Sequence, residues 1–282
     1  MIKILCVFAF AFVLFLYSCT KHIEELPPAE TKVIGHRGSG KTAISNYQEN
    51  TYISVKNAFQ KLHGAEVDVQ CSKDGTIWLF HDADLPDNKQ GLLCVPGSSD
   101  EELIKFANRD TLFTLTKLEE IFVLMTQMEN TPFLSLDVKG HFPNKCFESD
   151  NAPTGYFDAM VKSLGNLLDK YNLQDYLMVE TDYQYFLDEM SKNEPQIDYY
   201  LLGYDNFKNV KEVAIKKGYD GISYNFKDSD LSKDDIVNAR ENGLRVQLWT
   251  LYNEDDFEYA IKLGADFLQT GNVELGKKYI KK

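Results

Sequence analysis

Two histidines, an arginine, a lysine and several carboxylates stand in this sequence where the chain is predicted to turn, which is where side chains are free to do chemistry. Val33-Ile34-Gly35 reads as the end of a buried strand, and Gly35 and Gly38 let the backbone bend sharply around His36 and Arg37. A second strand, Ala65 to Gln70, alternates so that Glu66, Asp68 and Gln70 share one face while Ala65, Val67 and Val69 share the other. Carboxylates two residues apart on a strand sit about 7 Å apart and can hold one hard cation between them. A third strand, Thr76 to Phe80, delivers His81 and Asp82 at its end. Two imidazoles can trade protons near neutral pH, and a guanidinium suits a phosphate.

The motifs His36-Arg37-Gly38, Glu49-Asn50-Thr51, Gly64-Ala65 leading into Glu66-x-Asp68, Lys73-Asp74-Gly75 and His81-Asp82 follow one another in an order and spacing that resemble the glycerophosphodiester phosphodiesterase family. Any one of them arises by chance; the ordered set carries the resemblance, which continues more faintly to the C-terminus. It implies hydrolysis of a glycerophosphodiester to glycerol 3-phosphate and an alcohol. Leu136-Asp137-Val138-Lys139 resembles the family's acid-x-Lys segment, with Asp where many relatives have Glu. Asp137 then joins Glu66 and Asp68 as a metal ligand, and Lys139 joins Arg37 at the phosphate. Three oxygen donors without His or Cys favour Ca²⁺ or Mg²⁺ over Zn²⁺.

A phosphodiester gathers negative charge on its nonbridging oxygens as phosphorus becomes five-coordinate, so fixed positive charge aimed there is rewarded. His36 and His81 are expected to divide the proton work between them as base and acid, in an order the sequence leaves open. By similarity to the family the attacking group is the glycerol 2-hydroxyl, giving a cyclic phosphate that water opens; direct attack by water fits the residues equally well. Glu49 either orients Arg37, approaches the metal, or sits ahead of a helix N-terminus where a carboxylate is favoured anyway. Asp82 fixes the His81 ring or caps a loop. Trp249, in Leu248-Trp249-Thr250, resembles the family's late Trp-Thr segment and forms either an apolar wall for glycerol or part of the barrel core. His63 and His141 are read as structural. Two departures stand out: Thr270-Gly271-Asn272 replaces the family's closing Thr-Asp, and no Arg matching the family's is found after His81-Asp82.

The elements that must position these groups alternate between strand and helix, the mark of a parallel α/β fold. Asn50 is expected to cap a helix with the apolar face Val55, Ala58, Phe59 and Leu62, ended by Gly64. Further helices are predicted around Lys117 to Met125, from Phe157 to Tyr171, from Val210 to Lys217 before Gly218, from Ser232 to Asn242 before Gly243, and from Asn253 to Gly264. The remaining strands are Phe133 to Val138, Tyr176 to Glu180, Tyr199 to Gly203, Gly221 to Tyr224, Val246 to Leu251 and Asp266 to Gln269. The expected fold is a (β/α)₈ TIM-type barrel, with active-site residues gathered at the C-terminal ends of its strands. Counting from Val33 gives nine strands for eight places. The link from Cys71 to Gly75 is too short for a helical crossover, so irregularity is expected near strands 2 and 3.

The 282 residues fit one large domain, taken as 32–282. A formal net charge of −13 argues against a nucleic-acid or anionic-membrane surface. Residues 1–18 read as a leader: Lys3, an apolar run Ile4 to Leu16, then Leu16-Tyr17-Ser18-Cys19, which resembles a bacterial lipoprotein cleavage site. Cys19 would become a lipidated N-terminus, residues 19–31 a tether, and the location a bacterial cell envelope, periplasmic or surface-exposed. Cys71, Cys94 and Cys146 form no disulfide framework, although one disulfide is possible in an exporting compartment. Two other readings keep the fold: a noncatalytic lipoprotein that binds a phosphorylated ligand, for which two proton-transfer groups are superfluous, and a hydrolase of a different phosphodiester. A barrel glycosidase with paired carboxylates would leave His36, Arg37 and His81 without roles.

Overall fold

The computed structural model describes residues 30–85, 93–109, 113–141, 152–204, 206–227 and 231–280. The leader, Cys19, Cys146 and nearly all of the tether lie outside these residues. In chain order the strands are β1 (Lys32–Gly35), β2 (Gly64–Cys71), β3 (Ile77–Leu79), β4 (Thr116–Lys117), β5 (Phe133–Val138), β6 (Leu177–Thr181), β7 (Asp198–Gly203), β8 (Gly221–Asn225), β9 (Arg245–Leu251) and β10 (Phe267–Thr270). The helices are α1 (Thr42–Ser45), α2 (Tyr52–Lys61), α3 (Asp100–Ala107), α4 (Leu118–Thr126), α5 (Ala152–Tyr171), α6 (Gln184–Asn193), α7 (Phe207–Lys217), α8 (Lys233–Glu241), α9 (Glu254–Leu263) and α10 (Val273–Gly276).

Eight strands close a parallel barrel in the order β1-β2-β5-β6-β7-β8-β9-β10, with β10 returning to β1. The ninth predicted strand, β3, lies outside it. β1 is short and pairs with β2 only at Ile34–Gly64 and Gly35–Ala65, so the C-terminal half of β2 rises past its neighbour. There Val69 to Cys71 pair antiparallel with β3, and β3 pairs in turn with β4. The five-residue link turns through Gly75 at φ 83° and is closed by the Ser72 amide on the Thr76 carbonyl at 2.9 Å. β3, α3 and β4 thus form an appended unit with its own small core of Trp78, Leu85, Val95, Leu103, Phe106 and Leu115.

Strand alternation sorts the barrel into two environments. Outward-facing Ala65, Val67, Val69, Leu134 and Leu136 are buried against the helices, where α2 contributes Val55, Ala58 and Phe59. Truncating one of these leucines to Ala would cost about 2–5 kcal/mol. Inside, Ile34, Met178, Tyr200 and Phe267 form an apolar floor. Above the floor the interior turns polar, unlike the branched aliphatic filling usual in such barrels. Glu180 there accepts hydrogen bonds from Ser135 (2.7 Å), Gln269 (2.7 Å) and Gln247 (2.8 Å). Burial pushes its carboxyl above the ordinary value.

Helix ends follow local chemistry. Ser232 and Asn253 close capping boxes on α8 and α9, and Gly218 and Gly264 end α7 and α9 in the left-handed region. The N-cap of α2 is Thr51 rather than Asn50, and its C-cap is Leu62, with Gly64 already in β2. α6 and β4 have no counterpart in the sequence reading. Among the described residues no helix is long and apolar enough to cross a membrane.

The loop from β1 to α2 is stapled down before it presents any chemistry. The Gly38 amide donates to the Glu66 carbonyl (2.9 Å), and buried Ser39 exchanges bonds with Ser54, its amide meeting Ser54 Oγ at 2.7 Å and its Oγ the Ser54 carbonyl at 2.8 Å. Gly38 has φ 79°, and a Cβ there would lie 2.5 Å from Ser54 Oγ. Gly38→Ala is therefore expected to destabilise the protein by about 1–3 kcal/mol, seen as a lower urea midpoint at unchanged m value. A wild-type midpoint would show that the staple does not need glycine.

Candidate active site

The chemistry gathers where β1, β2 and β5 end. His36 follows β1, its amide held by the Thr270 carbonyl at 2.8 Å. Arg37 adopts φ 52°, a left-handed conformation rare for a residue with a Cβ and held here by its surroundings. Its amide donates to Glu66 Oε2 (2.7 Å), while its carbonyl accepts from Ser54 Oγ (3.0 Å) and the Asn50 amide (3.1 Å). Its guanidinium bonds Glu49 through Nη1 at 2.9 Å and lies 3.2 Å from Asp68 Oδ2 through Nε. The second contact is ionic only, because Nε is not aligned for a hydrogen bond.

Glu66, Asp68 and Asp137 point inward from β2 and β5, where Asp68 and Asp137 are register partners. One carboxylate oxygen from each can be chosen so that all three lie within 4.8 Å of one another. Lys139 Nζ contacts Asp137 Oδ2 at 2.5 Å and Asp68 Oδ1 at 3.4 Å. Asn50 grips Asp68 twice: Nδ2 donates to Oδ2 (2.8 Å), and Oδ1 accepts from the Asp68 amide (3.0 Å). The side chain expected to cap a helix therefore braces a metal-ligand candidate instead. At φ 57° it occupies a backbone region that Asn tolerates better than most residues.

Charge divides the three acids. Burial opposes ionisation of Asp68, but Lys139 and Arg37 overcome it and hold that carboxyl well below the usual range. Burial pushes Glu66 well above its ordinary value, and Asp68 adds repulsion. Asp137 is raised to about 7 by burial, with Lys139 opposing and Asp68 reinforcing the rise. Glu66 Oε1 and Asp137 Oδ1 are buried and have no hydrogen-bond partner among the described residues. Buried polar atoms are ordinarily satisfied, so two orphaned carboxylate oxygens in an all-oxygen donor set fit a hard divalent cation.

His36 lies 3.9 Å from Glu66 Oε2 through Nε2. This is not an ion pair, because burial, then Arg37, lowers the imidazole to about 3 and keeps it neutral. His81 arrives from the appended unit, its Nδ1 2.7 Å from Asp82 Oδ1. Gln70, on the same face of β2 as Glu66 and Asp68, fastens that segment by donating to the Phe80 and Asp82 carbonyls, both at 2.9 Å. His141, read as structural from the sequence, packs its ring 6.2 Å from that of His81 and bonds the His81 carbonyl through Nε2 at 2.5 Å. His63 is structural, accepting the Val33 amide at 3.0 Å.

Trp249 lies near the end of β9, its ring centroid 5.9 Å from that of Tyr204, which follows β7. Tyr204 was missed in the sequence, although its place just after a barrel strand was the available signal. The Asn272 side chain caps α10, accepting from the Leu275 amide at 3.1 Å. A cavity of about 620 Å³ opens beside Arg37 and His81, between the β1–α2 loop and the appended unit.

A cation entering the triad must displace the proton that Asp137 retains below about pH 7, and burial favours a proton on Glu66 as well. Ca²⁺ or Mg²⁺ affinity is therefore expected to weaken as pH falls, by at least about tenfold per unit below that pH. Calorimetric titrations in buffers of differing ionisation enthalpy check both the trend and the proton release. Affinity flat from pH 5.5 to 8 would contradict the assignment.

Residues 36–275 match the family described as "Glycerophosphoryl diester phosphodiesterase family". The chain is 23% identical over 253 residues to the glycerophosphodiester phosphodiesterase of Caldanaerobacter subterraneus subsp. tengcongensis, covering 87% of this chain and 96% of that one. Among solved structures it resembles a glycerophosphodiester phosphodiesterase from Parabacteroides distasonis, with TM-score 0.71, 20% identity and coverage of 89% and 96% of the two chains. It also resembles an Oleispira antarctica phosphodiesterase in complex with the product sn-glycerol-3-phosphate, with TM-score 0.70, 20% identity and coverage of 89% and 97%. At that identity the structural likenesses establish the barrel, and the family match over most of the chain establishes kinship: the chain belongs to the glycerophosphoryl diester phosphodiesterase family and is an enzyme of that class.

Proposed function

We propose that the protein hydrolyses glycerophosphodiesters to glycerol 3-phosphate and an alcohol, with Glu66, Asp68 and Asp137 holding one divalent cation, Ca²⁺ or Mg²⁺. The observation that carries this reading is the buried carboxylate triad flanked by Arg37 and Lys139, with a histidine on either side. A structural relative holding sn-glycerol-3-phosphate as product supports the same product here.

A bound cation supplies Lewis-acid charge to a nonbridging phosphate oxygen. Arg37 is oriented by Glu49 and the loop staple to meet the phosphate, and Lys139 adds a second fixed positive charge. His36 is neutral throughout the working pH range and so can accept the proton of the attacking hydroxyl, whether glycerol's or water's. Asp82 occupies Nδ1 of His81, which leaves Nε2 to protonate the departing alkoxide. Trp249 and Tyr204 offer an apolar wall for the glycerol carbons.

The reading also places the protein at a bacterial cell envelope, tethered through a lipid on Cys19 and facing the periplasm or the outside. The leader-like residues 1–18 support this, as does Cys94, which is disulfide-bonded, while Cys71 is a free buried thiol. Disulfides persist in oxidising compartments.

Release of glycerol 3-phosphate by the purified protein tests the mechanism. His36→Ala and His81→Ala are each expected to lower turnover by at least about 10²-fold while far-UV circular dichroism stays native. A chelator should abolish release, and Ca²⁺ or Mg²⁺ should restore it. Near-normal turnover in either folded variant removes that histidine from the mechanism, and indifference to the chelator removes the cation.

A further inference from the structure

We infer that His141 is a positioning residue for the proton-donating imidazole: it fixes the backbone and ring of His81 so that Nε2 of His81 faces the departing alkoxide. The inference rests on the acid role proposed for His81 above.

The segment that carries His81 needs such a restraint. His81 and Asp82 follow β3 outside any strand or helix, and the Asp82 side chain that meets His81 Nδ1 is 74% exposed. A contact held that far into water orients a ring only loosely. The backbone is tied more firmly. Gln70 binds the Phe80 and Asp82 carbonyls, and the carbonyl between them, that of His81, accepts from His141 Nε2 at 2.5 Å. A carbonyl oxygen can only accept, so Nε2 of His141 carries the proton. The two rings also meet edge to face, centroids 6.2 Å apart at 77°.

His141 is itself well anchored. It lies two residues beyond Lys139, whose amide donates to the Val69 carbonyl (3.0 Å) and whose carbonyl accepts from the Tyr156 hydroxyl (2.9 Å). At φ 54° it takes a left-handed turn, a conformation uncommon for a residue with a Cβ that persists where the surroundings enforce it. The end of β5 thus supplies Asp137 to the triad, Lys139 to the phosphate and His141 to the acid. One anchored strand end sets the spacing between them. Charge fits as well: burial lowers the His141 imidazole below its ordinary value, so it is uncharged at neutral pH and does not repel the proton that His81 must donate.

The test compares two esters of glycerol 3-phosphate that differ in their need for an acid. The ethyl ester releases an alkoxide that must be protonated, whereas the p-nitrophenyl ester releases a stable phenolate. His81→Ala is the reference, and kcat/KM is read from alcohol release. His141→Asn suits the left-handed turn, but its amide stops short of the His81 carbonyl; His141→Phe keeps a ring and lacks the donor. Each is expected to lower kcat/KM at least about fivefold on the ethyl ester and less than about twofold on the p-nitrophenyl ester. His141→Gln, which keeps a donor near the Nε2 position, should retain at least about half of the wild-type value on both. In the His81→Ala background, His141→Asn should have no further effect.

A loss equal on the two esters, no loss on either, or a loss that multiplies that of His81→Ala overturns the inference and leaves the acid role of His81 intact. So does a His141→Gln variant no faster than His141→Asn. One folded donor-free variant suffices for the comparison; loss of native circular dichroism in both makes His141 structural and also overturns the inference. If His81→Ala itself slows both esters equally, the acid role falls and the inference with it.

Discussion

Three carboxylates crowded into the barrel impose the constraint on which the site depends. Glu66, Asp68 and Asp137 are drawn together by strand alternation and by the β2–β5 register, leaving little water to screen their repulsion. An unpaired buried charge costs several kcal/mol, so the surroundings of the triad are arranged to offset it. Asp68 is ionised because Lys139, Arg37 and Asn50 converge on it. Glu66 and Asp137 receive less, and burial holds both above their ordinary values, which a cation held by the triad would reverse. The left-handed turn at Arg37 follows from the same need, since it aims the Arg37 amide at Glu66 and the guanidinium at Asp68.

The second histidine reaches the site by a different route. Because β1 stops early, β2 has a free upper edge, and β3 uses it to carry His81 over the barrel mouth. Asp100 locks that unit in place, accepting from Ser72 Oγ (2.7 Å), Thr76 Oγ1 (2.5 Å) and Trp78 Nε1 (3.1 Å). Gln70 ties it to the strand that bears Glu66 and Asp68. Charge and one histidine thus belong to the barrel, while the other histidine and part of the lining of the neighbouring cavity belong to an appendage.

Much of this was legible in the sequence because strand period and turn chemistry are local signals. Alternation assigned Glu66, Asp68 and Gln70 to one face, and the short Cys71–Gly75 link marked the region near strands 2 and 3 where the barrel is irregular, without saying which strand stands outside it. What escaped depends on long-range geometry. Asn50 precedes a helix and so read as its cap; its true partner, Asp68, lies 18 residues away on another element. β4 is only two residues long, too short to show a period, and exists because β3 offers it an edge. His141 and Tyr204 come to the site through the ends of β5 and β7; position just after a barrel strand was the one signal for Tyr204, and residue type alone does not distinguish either from ordinary loop residues. Glu180 was read as a strand terminus, whereas Ser135, Gln247 and Gln269 from three other strands make it the centre of a buried polar layer.

The most direct test of the account is the thermal unfolding midpoint measured at pH 8 in chelator and again with Ca²⁺ or Mg²⁺, for the wild type and for Asp137→Asn. If the triad is a strained acid cluster completed by a cation, the wild type gains about 2.7 kcal/mol at a cation concentration 100 times Kd, and its midpoint rises accordingly. Asp137→Asn should lose most of that rise while remaining folded. A wild-type midpoint insensitive to either cation, or an equal rise in the variant, would contradict the claim that these three carboxylates share a metal ion.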